Sequence, residues 1–192
     1  MESLRVLIAE DEALTRTILR ARLEKLGHKV VAEADNGATA VELARTTAPD
    51  VCILDIRMPE MDGIEAARQI INHAPCAILF LTAYSEDTLV EQAGEVGAIA
   101  YLMKPFRKED LGPAVAIAVA RFRQIQGQQT EIENLKEALE TRKLIERAKG
   151  ILMDRHGLTE DEAFKRIHFQ ARNQNKKMKE IAQSIITAAD LI

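Results

Sequence analysis

Val51-Cys52-Ile53-Leu54-Asp55-Ile56-Arg57-Met58-Pro59 decides the fold, because four apolar residues run straight into a carboxylate and then into a proline-punctuated loop. A short apolar run of this kind reads as a strand buried on both faces. Three further runs end in the same abrupt way. Leu4-Arg5-Val6-Leu7-Ile8-Ala9 leads into Glu10-Asp11-Glu12, Leu79-Phe80-Leu81 ends at Thr82, and Tyr101-Leu102-Met103 ends at Lys104-Pro105. Helical patterns separate the runs. The predicted strands are 4–9, 29–34, 50–54, 76–81 and 99–102, and the predicted helices lie near 13–26, 37–46, 63–72, 86–95 and 107–122. Leu19, Leu23 and Leu26 form a helical stripe stopped by Gly27, Gly97 stops the fourth helix, and Asp62 (with Glu65 three residues on) and Ser85 stand at N-cap positions. Strand and helix alternating in this way predict an α/β, doubly wound, five-stranded parallel sheet over residues 1–120.

Ligands of such sheets bind beyond the carboxyl ends of the strands, so Glu10, Asp11, Asp55, Thr82 and Lys104 are expected to converge. Their chemistry is complementary. Three carboxylates are hard oxygen ligands of the type Mg²⁺ prefers, alongside phosphate oxygens and water. Asp55 is the candidate nucleophile, since a carboxylate can accept a phosphoryl group as an acyl phosphate. Lys104 offers a point cation to another phosphoryl oxygen, and Thr82 a hydroxyl donor.

The remaining chain is of another character. Residues 1–120 hold 12 Lys/Arg and 19 Asp/Glu, whereas residues 121–192 hold 14 and 11. Within 142–179 the balance is 11 basic against 5 acidic, a possible footprint for a polyanion. No strand signal returns after 107. Ala118, Ile125, Ile132 and Leu139 recur every seven residues with Leu135 in the companion position, but Arg121, Gln128 and Arg142 interrupt the seam. Residues 121–141 are therefore expected to be a helical linker, either a dimerising coiled coil or a solvated connector. Gly127 predicts a hinge or frayed stretch at 126–129. Beyond it, His156-Gly157 stops one helix and Thr159 with Glu162 forms a capping box for the next. Ile145, Ala148, Ile151 and Leu152, then Ala163, Phe164 and Ile167, then Met178, Ile181, Ile185 and Ile186, are the apolar faces of a small three-helix domain at 142–192, with Phe164 assigned to its core.

Composition narrows the function classes. The 192 residues are 47% hydrophobic and 29% charged, as in a soluble globular protein. No apolar stretch approaches the ~20 residues that span a bilayer, and Met1-Glu2-Ser3-Leu4 lacks a basic secretory n-region, so a cytoplasmic address is expected. Cys52 and Cys76 are read as packing residues, and the four histidines show no zinc spacing. The C-terminal half has no glycine-rich phosphate loop, nucleophile elbow or metal cluster, so no second catalytic output is expected.

The residues up to about 120 resemble the receiver domain of two-component response regulators. The resemblance rests on Glu10-Asp11, Asp55 within Leu54-Asp55-Ile56-Arg57-Met58-Pro59, Met61-Asp62-Gly63, Thr82-Ala83 and Lys104-Pro105-Phe106, in that order. It implies a flavodoxin-like receiver fold, Asp55 as phosphoacceptor, and Glu10, Asp11, Asp55 and the Arg57 backbone carbonyl around Mg²⁺. It further implies Thr82 and Tyr101 as the switch pair, a cis Lys104–Pro105 bond, and a sensor histidine kinase as phosphodonor. Residues 130–190 resemble a second family, the ANTAR domain, an RNA-binding antitermination module. The densest match is Ile145-Glu146-Arg147-Ala148-Lys149-Gly150-Ile151-Leu152-Met153 with Arg155, then Glu162-Ala163-Phe164 and Ala171, although Arg172 stands where that family commonly has Met. This likeness implies binding of hairpin RNA in nascent transcripts through Arg147, Ala148, Lys149, Gly150 and Arg155, and homodimers formed on phosphorylation. The competing expectation is a helical tail that binds a protein partner and no nucleic acid.

Overall fold

The computed structural model describes residues 2–83 and 100–190. Strands β1 (Arg5–Ala9), β2 (Lys29–Ala34), β3 (Val51–Asp55), β4 (Ala77–Ala83) and β5 (Ala100–Lys104) pair in parallel in the order β2-β1-β3-β4-β5. Helices α1 (Ala13–Lys25), α2 (Gly37–Thr47) and α3 (Gly63–His73) follow the first three strands, and α4 (Lys108–His156) follows the fifth. The helix expected near 86–95, with Ser85 and Gly97 at its ends, lies outside the described residues.

Side chains alternate across each strand, so one sheet feeds two cores. Val6, Ile8, Ile53, Leu79 and Leu81 pack under Leu19 and Leu23 of α1 and Leu111 and Val115 of α4. Leu7, Cys52, Leu54, Ile78 and Phe80 pack under Ala40 and Ala44 of α2 and Ile64 and Ile70 of α3. The sheet is therefore doubly wound, with a flavodoxin-like strand order that reverses between β1 and β3, where a crevice opens at their carboxyl ends. Cys52 and Cys76 are free thiols buried in the second core, their Sγ atoms 3.4 Å apart. β4 and β5 each run two residues beyond their expected ends. Main-chain pairing of Thr82 with Met103 and Ala83 with Lys104 ignores side-chain polarity, so the polar residues still belong to the sheet.

The chain divides into two compact units, Met1–Gln126 and Gly127–Ile192. Helix α4 is unbroken through 126–129, which corrects the expected hinge at Gly127. The glycine costs only about 1 kcal/mol against a run of good helix formers, one of which, Gln129, also donates to Glu133 one turn on at 3.1 Å. The apolar seam starts later than its heptad suggests, because Ala118 is fully buried in the first unit. Ile125, Ile132, Leu135 and Leu139 remain 46–63% exposed.

In the second unit, α5 (Glu160–Gln174) opens on the expected Thr159–Glu162 capping box, and α6 (Met178–Asp190) completes three helices. Ala148, Leu152, Ala163, Ile167, Ala171, Ile181, Ala182 and Ile186 are their common core. Phe164 is not part of it, a correction. Ala163 holds the inward position, and one residue further turns a helix by about 100°, which leaves Phe164 43% exposed.

Candidate functional site

Asp55 is the last residue of β3, and Glu10 directly follows β1, its neighbour in the sheet. Parallel register places Ala9 beside Leu54, so both carboxylates emerge into one crevice. Ligand oxygens of Glu10, Asp11 and Asp55 all lie within 4.8 Å of one another, with Glu10 and Asp55 buried and Asp11 exposed. A glycine makes the approach possible. The amide of Gly63 donates to the Ile56 carbonyl at 2.9 Å, and a Cβ on Gly63 would stand 2.1 Å from the Asp55 carbonyl oxygen. The start of α3 thus closes directly under the Asp55 loop.

Lys104, at the end of β5, reaches across with Nζ 2.9 Å from Asp55 Oδ2 and 2.7 Å from Glu10 Oε2. The Lys104–Pro105 peptide is cis, as the receiver resemblance implied. Burial works to lower the Lys104 pKa, but Asp55 and Glu10 together hold it above its ordinary value. Glu10 is pushed upward, first by burial and then by Asp55, against the pull of Lys104. The two partners therefore respond differently to one contact, because Glu10 is fully enclosed whereas Lys104 keeps a quarter of its side chain in water. Glu10 Oε2 also lacks a well-directed hydrogen-bond donor among the described residues, despite the close ammonium. A buried oxygen left in this state, beside two more carboxylates, fits a hard divalent cation such as Mg²⁺.

Thr82 is buried in β4, and its Oγ1 donates to the Ala83 carbonyl at 3.2 Å. Tyr101 is half-buried on β5, with its ring stacked 6.4 Å from Phe80, and burial raises its phenol pKa. Arg57 is exposed immediately beyond the Asp55 loop. Sequence patterning missed Arg16, whose Nη1 donates to the Glu10 carbonyl at 2.5 Å, and Arg22, which caps the Phe106 carbonyl at 3.3 Å and lies 5.3 Å over the Phe106 ring. Their spacing within α1 signals a polar face and carries no information about partners so distant in sequence.

The helical unit rearranges the expected RNA-contact set. Ala148 is fully buried in the three-helix core, and Lys149 is buried as well, its Nζ 2.9 Å from Glu146 and 2.7 Å from Glu160. Glu160, then Glu146, raise the Lys149 pKa, and the two contacts join α4 to the start of α5 with 8% of the Lys149 side chain left exposed. Arg155 donates to the Ala189 carbonyl at 2.7 Å and ties α4 to α6. Arg147 is exposed, and Gly150 is half-buried with open space where a Cβ would sit. No helix among the described residues is long and apolar enough to cross a membrane.

Comparison with known families agrees with this division. Residues 6–116 match the response regulator receiver domain, and residues 133–186 match the ANTAR domain. The transcriptional regulatory protein PdtaR of Mycobacterium tuberculosis is 49% identical over 182 residues, covering 95% of this chain and 89% of that protein. The chemotaxis protein CheY of Bacillus subtilis is 39% identical over 112 residues, 58% of this chain and 93% of its own. The signal receiver domain of a modulated diguanylate cyclase from Desulfovibrio desulfuricans superposes with a TM-score of 0.60 at 31% identity, covering 64% of this chain and 98% of that one. Sheet order, crevice and family matches together place the chain in the response regulator family, as a member in which the receiver domain is followed by an ANTAR domain.

Proposed function

We propose that this chain is a cytoplasmic response regulator whose receiver takes a phosphoryl group on Asp55 from a sensor histidine kinase and thereby controls binding of hairpin RNA and transcription antitermination. The observation that carries the reading is the contact of Lys104 with both Asp55 and Glu10 at the point where the sheet order reverses. In our assignment residues 1–120 form the receiver, 121–141 the connecting helix and 142–192 the RNA-binding module.

Asp55 Oδ attacks phosphorus, a P–O bond forms, and the P–N bond of the donor phosphohistidine breaks with its electron pair returning to imidazole. Glu10, Asp11 and Asp55, with the Arg57 backbone carbonyl, would hold Mg²⁺, which when bound supplies charge neutralisation to phosphoryl oxygens. Lys104 takes a phosphoryl oxygen in place of its Asp55 contact. Thr82 exchanges the Ala83 carbonyl for a second phosphoryl oxygen, and Tyr101 moves inward from its half-exposed position. The chemistry of the chain ends with its own phosphotransfer and dephosphorylation.

Output then depends on association. The exposed stripe Ile125, Ile132, Leu135 and Leu139 suits a parallel two-stranded coil, in which Glu131 and Lys136 at flanking positions five residues apart pair between copies. Two RNA-binding modules held together gain avidity for an RNA with two hairpins. The test is to titrate the chain against a two-hairpin RNA with Mg²⁺, with and without a small-molecule phosphodonor, beside Asp55→Asn. Tightening by phosphodonor that the variant lacks is expected. Absence of binding in every state would instead favour a tail that engages a protein.

A further inference from the structure

The helical unit places an aromatic ring where its own core does not need one. Ala163, Ile167 and Ala171 supply the buried stripe of α5, and Phe164 stands beside it, 43% exposed and stacked on His168 at 6.4 Å with 13° between the ring planes. Next to Phe164 is a cavity of about 540 Å³, also lined by Ala138 and Ile145 of α4, with Asn134, Arg142 and Lys177 around it. That volume falls in the ~300–1,000 Å³ range of clefts that take small ligands.

Charge decides which ligand. Glu146 and Glu137 also border the cavity, but Glu146 is held by Lys149 at 2.9 Å, and Glu137 has Lys179 at 3.9 Å. Among the described residues no ion pair engages Arg142 or Lys177, so the two cations, 35 positions apart in sequence, converge on the cavity with their charge uncommitted. A flat apolar face, a side-chain amide and two free cations match an aromatic heterocycle linked to phosphates. An apolar peptide segment would use the aromatic wall and leave the cations idle.

We infer that this cavity is a single-nucleotide subsite, in which an unpaired base of the RNA stacks on Phe164, its edge meets Asn134, and its flanking phosphates meet Arg142 and Lys177. Bases displayed in a hairpin loop are free to be splayed out in this way, whereas paired bases are not. The inference rests on the RNA-binding reading above and names where one base is held. Stacking and ion pairing also separate by salt. The stacked ring contributes affinity that salt leaves unchanged, and each single-strand phosphate contact adds about 0.7 to the steepness of the logarithmic salt dependence.

The experiment uses the full chain and a hairpin RNA carrying 2-aminopurine at successive loop positions, with a blunt duplex of equal length as control. Expected are quenching at one loop position, about tenfold or greater loss of affinity in Phe164→Ala with the salt slope unchanged, and retention in Phe164→Tyr. Arg142→Ala and Lys177→Ala should each flatten the slope by about 0.7. Circular dichroism checks that each variant folds, which the exposure of Phe164 favours. Hairpin binding that Phe164→Ala leaves intact would overturn the subsite while the RNA-binding reading stands. A parent chain that binds no hairpin with or without phosphodonor would overturn both. A variant that changes sedimentation but not affinity per dimer would assign the cavity to a second copy of the chain and sink the nucleotide proposal.

Discussion

The receiver and the helical unit bear their charges in opposite ways. In the receiver, three carboxylates and one ammonium are forced together by strand ends, and the enclosed members are desolvated without regard to cost, with Glu10 wholly buried. In the helical unit, basic residues are spread along helix faces, and the one that burial singles out, Lys149, is consumed in a clamp to Glu146 and Glu160. The receiver concentrates charge to do chemistry. The helical unit buries this charge to hold two helices together.

The most severe way to test this contrast is Asp55→Asn, which should abolish phosphate incorporation from a small-molecule phosphodonor in the presence of Mg²⁺. Retained incorporation would mean that the crevice is not the acceptor. Gly63→Ala comes next. Its Cβ would meet the Asp55 carbonyl at 2.1 Å, and overpacking against backbone should cost about 3 kcal/mol in urea unfolding; an unchanged midpoint would show that the loop gives way freely.

Glu10→Gln should weaken Mg²⁺ binding about tenfold or more, the worth of one carboxylate–cation contact at intermediate dielectric. The same variant should melt higher than the parent when Mg²⁺ is absent. A carboxyl whose folded pKa is raised gives its full stability below its ordinary value of 4.5 and loses it as pH rises through the raised value. The advantage of Gln is therefore largest at neutral pH and closes on acidification, and a gap that widened in acid would contradict the assignment.

The smallest effects belong to the helical unit. Lys149→Ala should lower its melting temperature by a few degrees, because the clamp to Glu146 and Glu160 is lost while the apolar core stays intact. Alanine keeps the helix, so affinity measured on this variant has to be read beside its melting shift, because the lost clamp changes packing as well as charge. Glu160 is held below its ordinary range by Lys149, and Glu162 by Thr159. Their contributions are present above pH 4.5 and fade as pH falls through the lowered values. Both are exposed, so melts followed by circular dichroism should shift only slightly between pH 7 and pH 3, and Glu162→Gln should shift less.

The same contrast governs how much of the fold and the site is legible in the sequence. Strands β1, β3 and β5 announced themselves because apolar runs stopped at Glu10, Asp55 and Lys104, and a parallel sheet leaves those residues nowhere else to meet. The helical unit offered no such constraint. Ala148 and Lys149 sit in a motif, but a motif does not say whether its residues touch a ligand or each other, and Phe164 reads as part of one apolar face with Ala163 and Ile167 although only those two are buried. Gly127 was overruled by the good helix formers on either side. The contacts of Arg16 with Glu10 and of Arg22 with Phe106 were invisible because each depends on tertiary proximity.

The Lys104 contacts have a consequence for ion choice. With Glu10, Asp11 and Asp55 ionised, three negative charges against one ammonium leave the pocket at −2. A divalent cation makes it electroneutral, a monovalent ion leaves a residual charge, and a trivalent one overshoots. If the pocket takes a metal as proposed, the lysine would act as an ion that never leaves, and charge balance alone would favour a divalent over a monovalent cation before coordination geometry distinguished one divalent metal from another.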